Sequence, residues 1–401
     1  MKKAIIIIYL FCAHFMWAQN SVNYFSDFTN LEKIIDLSSN NFDSDFNFLT
    51  YNTCPNGVVF CNYDASLGSD SIQVLDIDVS NMAIKKSMYY IKGLSNYLLK
   101  NRCQTVDFIA KNERWMIIGM YGRFYIFNND QSLFKLIKHS DDYQSAKFIS
   151  TNELIFFTNR TKSGHNTIID KYILPECKFE KSIFPIFKMI EYTHISGSQW
   201  FDVSSSHILF SQTIQYRINI YNQNLEFNDT IRYEGAKWKA LSVEKQQEIS
   251  GLKLTGIDAI RAILPYEKDI SRMEQVHFLD DSTIVTYYNV PDGNTNYLDR
   301  EHNFDIWQRN NNRWILKYSG YQDKYKNGLL TKSNYPIFEG KLSRKIVFSR
   351  GYLFAFMPFA PVPPFGKDKR EYLKECDDYL LDNSPKPLIY IYSIKLAGNE
   401  K

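Results

Sequence analysis

The sequence predicts an all-β fold, namely a six-bladed β-propeller with one or two short helical insertions. Two observations support this prediction. A unit of short strands recurs six times along the chain, and 16% of the residues are aromatic, with 28 Tyr and 29 Phe. Aromatic side chains pack well on pleated sheets, so the composition fits a body built from strands.

Each copy of the recurring unit begins with an aromatic residue. It continues through a polar turn, a short apolar strand, a loop and a second strand that ends in charged residues. The copies begin at Phe48, Phe108, Phe148, Trp200, Phe278 and Phe348, and PLIYIYSIKL completes the last one after a long insertion. Such repetition predicts a radial or sandwich-like array of sheets.

The apolar strands favour the propeller among these arrays. Segments such as WMIIGM, LIFFT and YLFAFM are continuously apolar, which predicts burial on both faces. Propeller blades have this property because neighbouring blades cover both sides of each sheet. The alternative is an outer-membrane barrel, whose strands alternate apolar and polar residues. In the propeller, a strand from Ser21 to Phe28 is expected to join the last blade and close the ring.

The outer strands of the units resemble a known group of proteins. RINIYNQNLEFNDTIRYEG and RFYIFNNDQSLFKLIKHS look like the outer strands of six-bladed β-propellers of the NHL/TolB-like kind. Such exported proteins are abundant in Bacteroidetes-type bacteria, and most have no assigned function. The resemblance spans most of residues 20–401 and rests on the strand pattern. It implies the propeller fold, but no common activity and no catalytic residue.

The first eighteen residues are typical of a secretory signal peptide. Lys2 and Lys3 precede an apolar run from Ala4 to Trp17, and Ala18 offers a small residue at the cleavage point. The run is shorter than the roughly twenty residues that a membrane-spanning helix needs. We therefore expect a signal peptide over residues 1–18 and a propeller domain over residues 19–401. We also expect export to the periplasm or cell surface, and no transmembrane helix in the mature chain.

Two segments interrupt the strand pattern. Residues 236–275 and residues 367–382 are expected to be helical insertions that lie over one end of the disc. Apolar side chains at helical spacing support both interpretations. They are Ile257, Ile260, Ile263 and Leu264 in the first segment, and Leu373, Cys376, Tyr379 and Leu380 in the second.

Charge and cysteine content exclude some classes of partner and covalent structure. The formal charge is +3 and no long basic stripe is present, so nucleic acid is not an expected partner. Five cysteines follow the signal peptide, an odd number that cannot all pair within one chain: Cys54, Cys61, Cys103, Cys177 and Cys376. Cys54 and Cys61 flank an expected Asn56–Gly57 turn that places them on a diagonal, which argues against a disulfide between them.

The sequence contains no recognisable catalytic, phosphate-binding or metal motif. The candidate groups are therefore single side chains whose convergence at the pore would indicate a site. The histidines are His139, His165, His194, His207, His277 and His302, and the carboxylates are Asp202, Asp280, Asp281, Asp299, Glu301 and Asp305. Turns and structural hydrogen bonds explain such residues equally well. We assign no catalytic or metal residue and expect no cofactor.

Two functions remain as hypotheses. The first is a non-catalytic module that binds a ligand or protein in the periplasm or at the cell surface, with a glycan or another envelope protein as partner. The alternative is a carbohydrate-active hydrolase or lyase with its site at the central funnel. Because one fold hosts many functions, the fold supports neither hypothesis by itself, and whether the chain is an enzyme stays open.

Overall fold

The computed structural model confirms the six-bladed β-propeller. The residues it describes are 28–37, 50–63, 70–101, 106–138, 143–158, 168–183, 201–211, 215–233, 238–251, 266, 269–291, 301–321, 345–357 and 388–396. They form 24 strands in six four-stranded antiparallel sheets, and two α-helices. The innermost strand of each sheet contacts the innermost strands of the two neighbouring sheets, and the ring is complete.

The strands of each blade are given from the innermost to the outermost. Blade 1 contains β2 (Thr50–Cys54), β3 (Gly57–Asn62), β4 (Ser71–Asp78) and β5 (Ala83–Tyr90). Blade 2 contains β6 (Phe108–Lys111), β7 (Trp115–Met120), β8 (Arg123–Asn128) and β9 (Leu133–Lys138). Blade 3 contains β10 (Tyr143–Phe148), β11 (Glu153–Thr158), β12 (Ile168–Ile173) and β13 (Lys178–Ile183).

The second half of the ring follows the same order. Blade 4 contains β14 (Phe201–Val203), β15 (His207–Ser211), β16 (Arg217–Asn222) and β17 (Phe227–Arg232). Blade 5 contains β18 (Arg272–Asp280), β19 (Thr283–Val290), β20 (Glu301–Asn310) and β21 (Arg313–Tyr321). Blade 6 contains β22 (Lys345–Ser349), β23 (Tyr352–Met357), β24 (Leu388–Ile394) and, outermost, β1 (Thr29–Asp36).

The continuously apolar segments of the sequence are the second strands of the blades. Every residue of β7, β15 and β19 is buried, as their composition predicts. Five hydrophobic clusters among the described residues each lie between two adjacent blades, so both faces of a sheet contribute to the core. Apolar burial of this kind contributes about 25 cal/mol for each Å² removed from water and is the main driving force for stacking the blades.

The chain closes its ring with a strand from near its N-terminus. Strand β1 pairs antiparallel with β24, and Ile35 lies opposite Ile389. The sequence predicted that an N-terminal strand joins the last blade, and the structure shows such a strand. This strand begins at Thr29, after the segment that the sequence analysis proposed. Residues 21–27 lie outside the described residues, as does the predicted signal peptide.

Two short helices connect blades. Helix α1 (Leu94–Asn101) follows blade 1 and buries Leu94 and Leu98, while Asp70 accepts hydrogen bonds from the backbone N–H groups of Gly93 and Ser95 at its start. Helix α2 (Val243–Gly251) follows blade 4 and falls within the insertion expected over residues 236–275. The end of that segment belongs to β18. The apolar residues Ile257–Leu264 and the second expected insertion, residues 367–382, lie outside the described residues. None of the described helices is long and apolar enough to cross a bilayer.

The first hairpin corrects one detail of the sequence analysis. Cys54 pairs with Gly57, so the two-residue loop is Pro55–Asn56 and not Asn56–Gly57. Glycine is required at position 57 because a Cβ there would overlap the carbonyl oxygen of Ile77. Cys61 pairs with Thr50, away from Cys54, and both cysteines are free thiols.

Ring closure through β1 predicts an asymmetric response to mutation on its two faces. Ile35 is 2% exposed and packs between blades 6 and 1, whereas its neighbour Ile34 is 48% exposed. We expect Ile35→Ala to lower the free energy of unfolding by about 2–5 kcal/mol, as for other buried Ile to Ala changes. The matched control Ile34→Ala should change it by about 0.5 kcal/mol or less. Urea denaturation measures both, and equal losses would contradict the role of this strand in closing the ring.

Candidate functional site at the centre of the ring

A single buried carboxylate connects four blades at the centre of the ring. Asp202, on β14 of blade 4, accepts a hydrogen bond from the Lys147 ammonium of blade 3 at 2.6 Å. It also accepts hydrogen bonds from the Thr53 hydroxyl of blade 1 at 3.3 Å and from the backbone N–H of Phe278 of blade 5 at 2.9 Å. The Lys147 ammonium also donates to Thr53 Oγ1. These bonds fix the inner strands of four blades relative to one another.

Two further side chains extend this network around the ring. The Asn52 side-chain amide donates to the carbonyl oxygens of Ile109 in blade 2 and Ala146 in blade 3, both at 2.6 Å. The Ser349 hydroxyl of blade 6 donates to the carbonyl oxygen of Gly57 in blade 1 at 2.9 Å. Together with the bonds of Asp202, these contacts join all six blades through polar groups on or next to the inner strands.

The electrostatics of the centre follow from burial and from these partners. Burial alone would raise the pKa of Asp202, but the Lys147 ammonium and the nearby His277 hold it well below its usual range. The carboxylate is therefore ionised. His277 Nδ1 lies 3.4 Å from Asp202 Oδ2, and burial lowers the pKa of this imidazole although the carboxylate opposes the shift. The lowered pKa values thus favour the carboxylate form of Asp202 and the neutral form of His277.

A cavity of about 260 Å³ opens where the inner strands end. All six blades contribute to its walls through the turns that follow their inner strands, and the Asp202–Lys147 pair lies within its lining. Charged residues along the cavity are Lys111, Glu113, Asp280, Asp281 and Arg350, and the serines and threonines of the turns supply neutral donors and acceptors. The cavity therefore presents polar groups of both charges to a small ligand.

Most charged groups of the cavity already have partners. Lys111 forms an ion pair with Asp76. Asp280 accepts hydrogen bonds from the N–H and hydroxyl of Ser282, and Asp281 accepts from the N–H and hydroxyl of Ser205. Burial acts to raise the pKa of Asp281, but the serine hydrogen bonds outweigh it and hold that pKa low. The carboxylates of Asp280 and Asp281 therefore serve as hydrogen-bond acceptors that stabilise the turns.

The structure brings together some of the residues proposed from the sequence. Asp202 and His277 meet at the centre, and Asp280 and Asp281 line the cavity above them. His139, His165, His194 and Asp299 lie outside the described residues, and Glu301 and His302 belong to β20. Among the residues that the structure describes, no group of three or more His, Cys, Asp or Glu side chains is arranged to hold a metal ion.

Two other candidates serve the interface between blades 4 and 5. Asp305 is fully buried and accepts a hydrogen bond from the Tyr216 hydroxyl at 2.7 Å, while Trp307 Nε1 donates to the same hydroxyl at 2.8 Å.

His207 Nε2 lies 3.0 Å from Arg309 Nη1. Because a guanidinium can only donate, His207 accepts there, and its Nδ1–H donates to Ser206 Oγ at 2.6 Å. Neither Asp305 nor His207 lines the cavity.

Sequence reasoning missed Lys147, Thr53 and Asn52. A lysine within the apolar strand segment SAKF is a weak signal of a buried ion pair, because a lysine is almost never fully buried unless paired. The partner could not be identified from spacing, since Asp202 is 55 residues away in sequence.

Comparisons with known proteins show similarity of fold only. No protein-family model and no curated relative matches the sequence. A solved structure of a DUF4221-family member from Bacteroides vulgatus superimposes with a TM-score of 0.51 at 11% identity, covering 92% of this chain and 99% of that chain. The NHL/TolB-like type and export remain predictions.

Two further solved structures are less similar. A luciferin-regenerating enzyme gives a TM-score of 0.39 at 8% identity, over 91% of this chain and 96% of its own. A protein of unknown function from Bacteroides caccae gives 0.35 at 10% identity, over 74% and 81%. At these values neither bears on the function of this chain.

The central network predicts a large effect of removing one charge. Asp202→Asn leaves the Lys147 ammonium buried without its counter-charge, and breaking a buried pair in this way costs about 3–5 kcal/mol. The matched control Asp280→Asn keeps an acceptor oxygen in an exposed turn and should change the free energy of unfolding by about 0.5 kcal/mol or less. Chemical denaturation compares the two, and a small loss for Asp202→Asn would show that the pair does not hold the blades together.

Proposed function

We propose that the chain is an exported β-propeller that acts as a non-catalytic binding module in the periplasm or at the cell surface. The cavity at the ends of the inner strands is its ligand site. One observation carries the proposal: turns from all six blades converge on this cavity, while the charges at its base already neutralise each other. A pre-formed polar recess of this kind can recognise a ligand without rearranging.

The pKa values of two carboxylates in the cavity lining favour ligand binding over glycoside hydrolysis. A glycosidase needs one carboxylic acid whose pKa is raised so that it can protonate the leaving group. The pKa values of Asp202 and Asp281 are both lowered, by an ammonium ion and by serine hydrogen bonds respectively. A carboxylate held in its ionised form accepts hydrogen bonds from a ligand but does not donate a proton. Asp202 and Asp281 are therefore unsuited to the general-acid role of a glycosidase, and the hydrolase is not the function we propose.

The size of the cavity bounds the ligand. Sites that enclose drug-sized molecules have volumes of about 300–1,000 Å³. At about 260 Å³, this cavity fits one small group, such as a single sugar unit, a side chain or the end of a peptide. A glycan or another envelope protein would thus insert one residue into the cavity and leave the rest of its chain outside.

The ligand site predicts that filling the cavity abolishes binding. Thr151 is an exposed residue of the cavity wall, so Thr151→Trp should occlude the recess with little effect on folding. The matched control is Lys178→Trp, on the outermost strand of blade 3. The assay is a thermal-shift screen against oligosaccharides, peptides and divalent metals, in which a ligand at a hundred times its Kd stabilises the folded state by about 2.7 kcal/mol.

We expect a ligand that raises the Tm of the wild type and of Lys178→Trp but not of Thr151→Trp. Equal shifts in all three proteins would place binding elsewhere on the molecule. If no ligand shifts any of them, a small-ligand site is contradicted.

Export predicts a defined processing event. Expression of the full chain in a bacterium with a periplasm should yield a protein that begins at Gln19, because the signal peptide is removed after Ala18. N-terminal sequencing of the periplasmic fraction measures this. An intact Met1 on protein retained in the cytoplasm would contradict export.

A further inference from the structure

Arg350 has a backbone conformation that is unusual for its residue type. It forms a two-residue turn with Gly351 between β22 and β23, where Ser349 pairs with Tyr352. The φ angles of Arg350 and Gly351 are 50° and 74°, so both residues are left-handed. Turns of this geometry favour Asn-Gly, since Asn tolerates a positive φ better than other non-glycine residues. Tyr121 and Gly122 of blade 2 form a turn that also has left-handed φ angles, so this conformation alone does not indicate a function. Arg350 differs from Tyr121 because it lines the cavity, which is a reason to look for a function of its side chain.

The guanidinium of Arg350 differs from the other cationic groups of the cavity. The cations in the cavity lining are Lys111, Lys147 and Arg350. Lys111 is paired with Asp76 and Lys147 with Asp202. Arg350 is exposed, and within the described parts of the chain it makes no hydrogen bond or ion pair, although its charge contributes to the low pKa of Asp281. Its N–H donors therefore have no hydrogen-bond partner among the described residues, and the Asp281 carboxylate is a neighbouring charge in the cavity.

The chemistry of arginine indicates which group would bind there. A guanidinium is always charged and presents a planar fork of donors, which matches the two oxygens of a carboxylate or phosphate. A neutral hydroxyl offers no such bidentate contact. The small volume of the cavity limits the ligand to one such group and the atoms next to it.

We infer that Arg350 anchors an oxyanion, either a carboxylate or a phosphate, of a small polar ligand bound in the cavity. This inference rests on the proposed function, because it assumes that the cavity is the ligand site. Beyond the proposed function, the inference specifies that the ligand is negatively charged and that Arg350 recognises this charge.

Three probes with the same sugar ring test the inference. D-glucuronate carries a carboxylate at C6, D-glucose 6-phosphate carries a phosphate there, and D-glucose carries a neutral hydroxyl. Titration calorimetry at matched ionic strength should detect binding of at least one of the two anions and none of glucose. The anion that binds more tightly identifies the group. Failure of both anions to bind, or equal binding of glucose, would overturn the inference.

Substitutions then assign the binding to Arg350. Arg350→Asn should weaken binding of the anion by about tenfold or more, while the Tm stays unchanged or rises because the turn is relaxed. Arg350→Lys keeps the charge but loses the fork, and its affinity should be intermediate. The matched control is Tyr121→Asn, in the β7–β8 turn, where Tyr121 and Gly122 have φ angles of 38° and 70°. It should leave the affinity unchanged.

The outcomes separate this inference from the proposed function. Wild-type affinity in Arg350→Asn would overturn the anchor, and if Thr151→Trp still abolishes binding, the cavity remains the ligand site. Binding that survives Thr151→Trp would overturn both. A lower Tm in Arg350→Asn would also count against the inference, because it would assign a structural role to the arginine.

Discussion

The ionised carboxylate of Asp202 is the interaction on which the centre of the molecule depends. A buried charge is tolerated only if it is compensated, and here Lys147, Thr53 and the Phe278 N–H supply that compensation from three other blades. The inner strands must therefore keep fixed positions around this group. It follows that the centre serves the structure, and the Asp202–Lys147 pair also forms part of the cavity lining together with the turns.

The outer parts of the blades make this centre possible. A four-stranded sheet with two apolar faces is stable only when neighbours cover both of them, which requires a closed ring. Strand β1 completes blade 6 and packs Ile35 against blade 1, so segments from near the two chain ends share one sheet. Because all six blades contribute to the cavity, the cavity exists only in the closed ring. Formation of the cavity is thus coupled to folding of the whole ring.

The sequence predicted the fold well because local patterns determine it. Continuously apolar segments such as WMIIGM mark strands covered on both faces, and six such units predict six blades. The site was predicted only in part. Asp202 and His277 were among the candidates from the sequence, but Lys147 and Arg350 were not. Residues from different blades meet at the centre although they are far apart in sequence, so their spacing does not predict that they are neighbours. The Pro55–Asn56 turn was missed for a related reason: Gly57 is required by the approach of Ile77, a contact between neighbouring strands.

A double-mutant cycle on Lys147 and Asp202 tests the account most directly. The four proteins are the wild type, Lys147→Met, Asp202→Asn and the double variant, and the measured quantity is the free energy of unfolding in urea. If the pair holds the inner strands together, the two single losses are not additive, and the coupling energy is about 1.5 kcal/mol or more. Losses that add to within about 0.5 kcal/mol would show that the two side chains act independently, and would contradict the account.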